Sequence, residues 1–265
     1  MADSDQEVRA GMNISLEQYE KLNPKCELEV EGKKLTFATP TTFTLWRVES
    51  LFTKEPWTIE WLNELTHQDV LLDVGANVGM YTIWAAAVRC CSVIAIEPES
   101  MNYSILNKNI SVNNLDQLAQ AYCLGLSDVN QFSRLNMRDM RAGGSNHSAG
   151  AALDFNLRPI TAAFQQGCVI CRLDDLVDRG SIPIPSRIKI DVDGFEHKVV
   201  SGAVRTLENP RVKSLLIETN TNLPEHIEMV RDLEQLGFGY SPEQVARAIR
   251  KSGTFEGVAE YVFRR

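Results

Sequence analysis

Residues 70–79, with the sequence VLLDVGANVG, decide the fold of this chain. The apolar run that begins at Val70 is typical of a short buried strand, and the residues from Gly79 to Val88 have the pattern of a helix. Glycines at 75 and 79 let the backbone turn sharply and let a ligand lie against it. This strand–loop–helix unit is typical of the ligand-binding edge of a parallel sheet.

The alternation of apolar runs and amphipathic helices continues to the C-terminus. Further strands are predicted at 92–97, 119–125, 187–191, 212–218 and 259–263. Helices are predicted at 100–113, 195–208 and 224–236. Polar, glycine-rich sequence at 127–170 interrupts this order. The pattern predicts an α/β fold with a Rossmann-like doubly wound sheet that has helices on both faces.

The region before the sheet has a different pattern. Residues 26–39 alternate as expected for a hairpin, and residues 43–65 predict two helical pieces separated at Pro56. We therefore predict an N-terminal cap over residues 1–66 and a main domain over residues 67–265.

Composition excludes several classes of protein. Hydrophobic residues make up 44% of the 265 residues, which is enough to fill a core, and the net charge is −8. This charge disfavours a protein that binds nucleic-acid phosphates. The sequence contains no apolar run near the ~20 residues that span a bilayer. Residues 1–13 are polar and acidic, unlike a secretory signal, and predict a cytoplasmic location.

The cysteines do not predict a metal site. Cys168 and Cys171 form a CxxC pair, but the surrounding sequence is typical of a strand. Residues three apart on a strand point to opposite faces, so these thiols would not converge on one ion.

The acid at the end of the second predicted strand points to the ligand. Glu97 follows Asp73 by 24 residues, where such folds offer a carboxylate to the two hydroxyls of a ribose. The loop reads GxNxG and begins with Asp73, which would repel a pyrophosphate, so an NAD-linked oxidoreductase is disfavoured. S-adenosylmethionine carries a ribose, an ammonium group and a sulfonium but no phosphate, and it fits this loop better.

Five motifs occur in an order that resembles one family. They are DVGANVGMYTIWAA at 73–86, IEPES at 96–100 with Asn102 following, GLSD at 125–128, IKIDVDGFEHKVVSGA at 188–203 and LLIETN at 215–220. Together they resemble the FkbM-type S-adenosylmethionine-dependent methyltransferases, and residues 45–62 resemble the segment before the glycine loop in some members. One departure is at Asp193: this sequence reads DVDGFE, whereas DVEGxE, with glutamate at that position, is commoner in the family. The resemblance implies a class I methyltransferase sheet of seven strands with an antiparallel last strand. It also implies O-methylation of a hydroxyl on a sugar, glycan or natural-product acceptor.

The resemblance also implies a set of cofactor-binding residues. The residues expected around the methionine half, the ribose, the adenine and the sulfonium are Asp73, Gly75, Asn77, Gly79, Glu97, Asn102, Ser127, Asp128 and Asp191. Within this set Glu97 would bind the ribose, and Ser127 with Asp128 would lie at the adenine edge.

Transfer of a methyl group to a hydroxyl requires a group that removes the proton. Asp191 and Glu196 stand at the junction of a predicted strand and helix, beside Asp193 and His197, and both are candidates. The acids could instead hold a divalent metal together with Glu218, although no metal is predicted. His147, in the polar insertion at 134–150, is the alternative base. The arginines of this insertion, at 134, 138 and 141, suit a phosphate or carboxylate on the acceptor.

Two further functions remain compatible with the sequence. One is a non-catalytic subunit that only binds the cofactor, and the other is an N-methyltransferase acting on a small molecule or peptide. The expected partner is a small-molecule or glycan acceptor rather than a nucleic acid, and the sequence does not predict an oligomeric state.

Overall fold

The structure is a computed structural model that describes residues 14–265. Residues 1–13, on which the predicted cytoplasmic location rests, lie outside the described residues. The helices are α1 (Leu16–Leu22), α2 (Thr42–Glu49), α3 (Pro56–Leu62), α4 (Met80–Arg89), α5 (Ser100–Val112), α6 (Leu173–Asp178), α7 (Glu196–Ser201), α8 (Val204–Glu208), α9 (Pro224–Gln235) and α10 (Pro242–Ala248). The strands are β1 (Lys25–Val30), β2 (Lys33–Ala38), β3 (Val70–Val74), β4 (Ser92–Ile96), β5 (Ala119–Tyr122), β6 (Gly125–Leu126), β7 (Gln131–Met137), β8 (Ser148–Ala149), β9 (Phe164–Cys171), β10 (Arg187–Ile190), β11 (Ser214–Asn220), β12 (Gly239–Tyr240) and β13 (Val258–Arg264).

The main sheet has seven strands in the order β12-β13-β11-β10-β3-β4-β5. Strands β3, β4, β5, β10 and β11 are parallel, and β13 is antiparallel to β11. The short strand β12 pairs with β13 and completes the sheet. The predicted class I arrangement with an antiparallel last strand is therefore confirmed.

Helices cover both faces of the main sheet because its inner strands are apolar on both sides. Leu71 and Leu72 are adjacent in β3, both are fully buried, and they belong to separate core clusters on opposite faces. Side chains alternate between the faces of a strand, which explains how two neighbouring leucines enter two cores. The parallel strand ends are thereby held at one edge, where the glycine loop lies.

A second sheet lies in the region predicted to interrupt the alternation. Its order is β6-β9-β7-β8, and β7 pairs antiparallel with β9 along seven residues. The outer face of this sheet lies in solvent, so its strands lack the apolar character of β3; Phe132 in β7 is 91% exposed. The helix predicted at 195–208 also differs, because it divides into α7 and α8 around Gly202. A Cβ atom at Gly202 would lie 1.9 Å from the backbone oxygen of Ser127, so close packing requires glycine there.

The N-terminal elements pack against the main sheet. Phe37 from β2 and Trp61 from α3 belong to the same core cluster as Leu71, and the Trp61 indole donates to the Ser214 hydroxyl over 2.7 Å. The division into residues 1–66 and 67–265 stays a prediction. No helix within residues 14–265 combines the length and the apolar character that a bilayer span needs.

Candidate functional site

The loop between β3 and α4 places glycine where no other residue fits. Gly75 has φ +79°, and a Cβ atom there would lie 1.8 Å from the backbone oxygen of Asp191. Gly79 has φ +83°, and its Cβ atom would lie 2.3 Å from a methyl group of Leu106. The two glycines therefore allow the loop to approach the end of β10 and to pack on α5.

A cavity of about 590 Å³ opens above the glycine loop. Six of the predicted site residues line it: Gly75, Asn77, Glu97, Asn102, His147 and Asp191. Ser127 lines a smaller neighbouring pocket that also has Gly75 and His147 in its wall. A third pocket lies against the glycine loop on the side of Tyr81. The structure therefore brings seven of the predicted residues into the walls of neighbouring pockets around the glycine loop.

Four predicted residues lie outside the walls of these pockets. They are Asp73, Gly79, Asp128 and Glu196. The Asp73 carboxylate is fully buried and accepts from the Thr82 hydroxyl over 2.6 Å, while Asp128 accepts from the Ser127 hydroxyl over 2.9 Å. Burial raises the pKa of Asp73. In this structure Asp73, Gly79 and Asp128 contact other parts of the protein.

Glu97 presents a buried carboxylate to the cavity. One oxygen accepts from the backbone N–H of Asn77 and the other from that of Glu99, each over 2.8 Å. Burial raises the pKa of Glu97 to about 7, against the effect of these two donors. A carboxylate has about four acceptor positions, so two hydroxyl groups can still donate to it.

The segment after β10 carries two carboxylates with opposite pKa shifts. Burial alone would raise the pKa of Asp191, but Lys189, at 3.0 Å, and Lys54 outweigh it and lower that pKa to about 2. Burial raises the pKa of Asp193 to about 6, and the charge of Asp191 acts in the same direction. Asp191 is therefore ionised at neutral pH and weakly basic, whereas Asp193 titrates near neutrality.

Glu196 holds the backbone of this segment. Its carboxylate accepts from the N–H of Val192 over 2.8 Å and from that of Gly194 over 3.0 Å. Burial raises the pKa of Glu196 to about 8, and burial lowers the pKa of His226, which lies 3.3 Å away, to about 4. The buried pair fixes the turn that presents Asp191 and Asp193, and Glu196 itself does not reach the cavity.

Residues 138–147, which we call the cover loop, lie over the glycine loop. The side chains of Asn77 and Asn102 both donate to the backbone oxygen of Gly144, over 2.7 and 3.1 Å. The N–H of Gly143 donates to the Asn102 amide oxygen over 2.7 Å. Two residues predicted to bind the cofactor therefore also bind this loop.

The N-terminal helix α2 and Asp193 hold the cover loop from its other sides. Thr41, which caps α2, donates to the backbone oxygen of Ala142 over 2.7 Å, and Arg47 donates from Nε to the oxygen of Gly143 over 2.8 Å. The Asp193 carboxylate accepts from a backbone N–H of the loop over 2.6 Å. The loop thus connects α2 to the carboxyl edge of the sheet.

His147 ends the cover loop with both ring nitrogens unpaired among the described residues. Burial lowers its pKa, so the imidazole is neutral at pH 7. Buried polar atoms almost always have partners, and an orphaned imidazole in a cavity wall indicates a place for a ligand or a reacting group.

Several lining residues were missed by the sequence prediction. The charged ones are Arg47, Lys54 and Arg250, and the aromatic ones are Phe43, Trp46 and Phe255. Arg47 and Lys54 fall within residues 45–62. The resemblance of this segment to the family was the one sequence signal that could have pointed to them. Arg250 and Phe255 lie between α10 and β13 in sequence that carries no motif.

Within residues 14–265, two groups of acids come close enough to hold an ion, with their oxygens within 4.8 Å of one another. In the first, Arg250 donates to Glu218 over 3.0 Å and to Glu260 over 2.8 Å, and Glu55 is the third member. The guanidinium supplies the compensating positive charge there. The second group comprises Asp191, Glu196 and Glu218.

The chain is similar to several known proteins. Residues 73–240 match the Methyltransferase FkbM domain. The Hexuronic acid methyltransferase AglP of Haloferax volcanii is 24% identical over 195 residues, 74% of this chain and 74% of that protein. The structure is similar to a precorrin-6y C5,15-methyltransferase from Geobacter metallireducens, with a TM-score of 0.48 and 15% identity over 86% of this chain and 93% of that chain. It is also similar to TYW2 of M. jannaschii in complex with AdoMet, with a TM-score of 0.45 and 14% identity over 91% of this chain and 86% of that chain. The family match spans more than half of the sequence and confirms the resemblance, so the chain belongs to the FkbM methyltransferase family.

Proposed function

We propose that this family member transfers the methyl group of S-adenosylmethionine to a hydroxyl of a sugar or glycan acceptor. The observation that carries the proposal is the neutral, unpaired imidazole of His147 in the wall of the cavity. A hydroxyl must lose its proton as it attacks, and a neutral histidine is the side chain best suited to take that proton near pH 7. A neutral amine acceptor could attack with its own lone pair before it loses a proton, so it depends less on a base at the moment of attack.

The residues of the cleft suit the proposed cofactor. The small pocket beyond Glu97 is lined by the apolar side chains of Ile96, Leu126 and Phe195 together with Ser127, which fits a flat adenine ring. The Glu97 carboxylate suits the two ribose hydroxyls. When bound, S-adenosylmethionine supplies an electrophilic methyl group.

Asp191 and His147 divide the chemical work in this proposal. Asp191 stays ionised because two lysines stabilise its charge, and a negative charge beside the glycine loop favours a cationic cofactor. The same low pKa makes Asp191 a poor proton acceptor, since an effective base has a pKa near the working pH. His147 therefore takes the role of base, and Asp191 that of electrostatic partner.

The mouth of the cavity supports a sugar acceptor. Trp46 is 46% exposed and Phe255 is 37% exposed, and both line the cavity together with the charged groups of Arg138 and Asp139. A pyranose ring has C–H faces that pack on aromatic rings and a rim of hydroxyls that bind charged groups. A relative named as a hexuronic acid methyltransferase is consistent with this class of acceptor.

The test is an S-adenosylhomocysteine-release assay with uronic acids, neutral hexoses and amines as acceptors. We expect methylation of a sugar hydroxyl, and we expect His147→Gln to lower turnover by about 10²–10⁴-fold with little change in cofactor affinity. Because burial lowers the pKa of His147, wild-type turnover is retained below the ordinary histidine pKa of 6.5 and falls only as the imidazole becomes protonated.

His197→Gln is the matched control, since His197 is also partly buried but lies outside the pocket walls. Methylation of amines alone would replace the proposal with N-methylation. Tight cofactor binding without turnover on any acceptor would favour a non-catalytic subunit. Normal turnover in His147→Gln would remove the base assignment.

A further inference from the structure

The glycine loop has no free N–H group to offer to an anion. The N–H groups of Gly75 and Ala76 donate to the backbone oxygen of Ile96 over 2.9 and 3.0 Å, and that of Gly79 donates to Ala76 over 2.8 Å. The N–H of Asn77 donates to Glu97, and that of Val78 donates to the Asn77 side chain. None of these five N–H groups is free for the carboxylate at the methionine end of the cofactor, which makes a cationic side chain a suitable partner for it.

Three cations line the small pocket between the glycine loop and Tyr81, and two of them already have carboxylate partners. They are Arg47, Lys54 and Lys189. Lys189 pairs with Asp191 over 3.0 Å, and Lys54 pairs with Glu55. Within residues 14–265, Arg47 forms no ion pair with a carboxylate inside 4.0 Å, so its charge is the one left uncompensated at this end of the cleft.

The position of Arg47 is fixed without use of its terminal amino groups. Its Nε donates to the backbone oxygen of Gly143, and the two Nη groups have no hydrogen-bond partner in the described part of the chain. The side chain lines both the small pocket and the main cavity. A guanidinium binds a carboxylate through two parallel N–H···O bonds, which is the strongest charge-assisted contact that a side chain offers.

We infer that Arg47 binds the α-carboxylate of the methionine half of S-adenosylmethionine. The inference rests on the proposed cofactor. It gives α2, which lies outside the matched domain at 73–240, a direct part in cofactor recognition. It also connects cofactor binding to the cover loop, because the same guanidinium binds both.

Calorimetric titration of the full chain with two ligands tests the inference. One ligand is S-adenosylhomocysteine, and the other is S-adenosyl-3-thiopropylamine, which lacks only the carboxylate. We expect the wild type to prefer the first ligand by about ten- to a hundredfold, the range for a hydrogen bond between charged groups. We expect Arg47→Gln to lose most of this preference, with the affinity for the decarboxylated ligand unchanged within about threefold. No acceptor is present, so an acceptor carboxylate cannot account for the result.

Arg205→Gln is the control, because Arg205 is also a helical arginine, pairs with Asp175 and Asp178 of α6 and lies outside the pocket walls. We expect it to leave both affinities unchanged, and Arg47→Lys to keep part of the preference. Equal affinity of the wild type for both ligands overturns the inference even if Arg47→Gln does not fold. Equal weakening of both ligands in Arg47→Gln shows a structural role and also overturns it. If the wild type does not bind S-adenosylhomocysteine at all, the proposed cofactor itself is wrong.

Discussion

The two sides of the cavity are built by different kinds of contact. On the sheet side, Gly75, Glu97 and Asp191 follow β3, β4 and β10, and the parallel ladder fixes them: the Asp191 N–H donates to Val74 over 3.1 Å. On the cover side, six hydrogen bonds among the described residues hold the cover loop, and each involves a side chain from another element. The sheet side is thus preorganised by the fold, whereas the cover side depends on polar contacts that substitution can remove singly.

The largest effect is expected from a substitution on the sheet side of the cavity. Gly75→Ala places a Cβ atom 1.8 Å from the backbone oxygen of Asp191, in a backbone conformation that favours glycine. Because the ends of β3 and β10 must separate, we expect the free energy of unfolding to fall by roughly 3–5 kcal/mol and binding of S-adenosylhomocysteine to be lost. Chemical denaturation and calorimetry measure both.

Gly237→Ala is the control, because it introduces the same kind of backbone strain without a steric clash. Gly237 also has a positive φ, +87°, but a Cβ atom there has no neighbour within 4 Å. We expect a loss of only about 1–2 kcal/mol, with cofactor binding intact. Equal losses in the two variants would contradict the close contact between the glycine loop and Asp191.

The second prediction uses the titration of Glu97. Its pKa in the free protein is raised to about 7 by burial, and ribose hydroxyls donate to the ionised carboxylate. Binding therefore favours the deprotonated form, and we expect the affinity for S-adenosylhomocysteine to fall as the pH drops below 7, by up to about tenfold per pH unit. Titration between pH 5.5 and 8.5 measures this, and Glu97→Gln is expected to bind more weakly at pH 8 with a flat profile. A flat wild-type profile would contradict the ribose assignment.

The contrast between the two sides also explains what the sequence could predict. Glu97 and Asp191 could be predicted to lie at the site because each follows a parallel strand, and the carboxyl ends of parallel strands meet at one edge of the sheet. Arg47 was not, because its position depends on how α2 packs, which no local pattern encodes. For Glu196 the sequence position was misleading. An acid so close to Asp191 is a natural candidate for the catalytic base, yet in the structure its oxygens accept from backbone N–H groups. Strand β7 was missed because one face of its sheet is open to solvent, whereas the sequence around Cys168 and Cys171 did indicate the strand that the structure has as β9.

The smallest expected effect concerns the cover side. Asn102→Ala removes two of the six bonds to the cover loop, those to Gly143 and Gly144, while leaving the main sheet untouched. Each bond contributes about 1 kcal/mol, so we expect amide hydrogen exchange across 138–147 to accelerate by about tenfold or more. We expect S-adenosylhomocysteine to bind only several-fold more weakly. Asn107→Ala is the control, since Asn107 lies on the same helix but bonds only to Tyr103 within the described residues. Unchanged exchange of the cover loop in Asn102→Ala would mean that the remaining contacts hold it alone, and the two sides would then be equally preorganised.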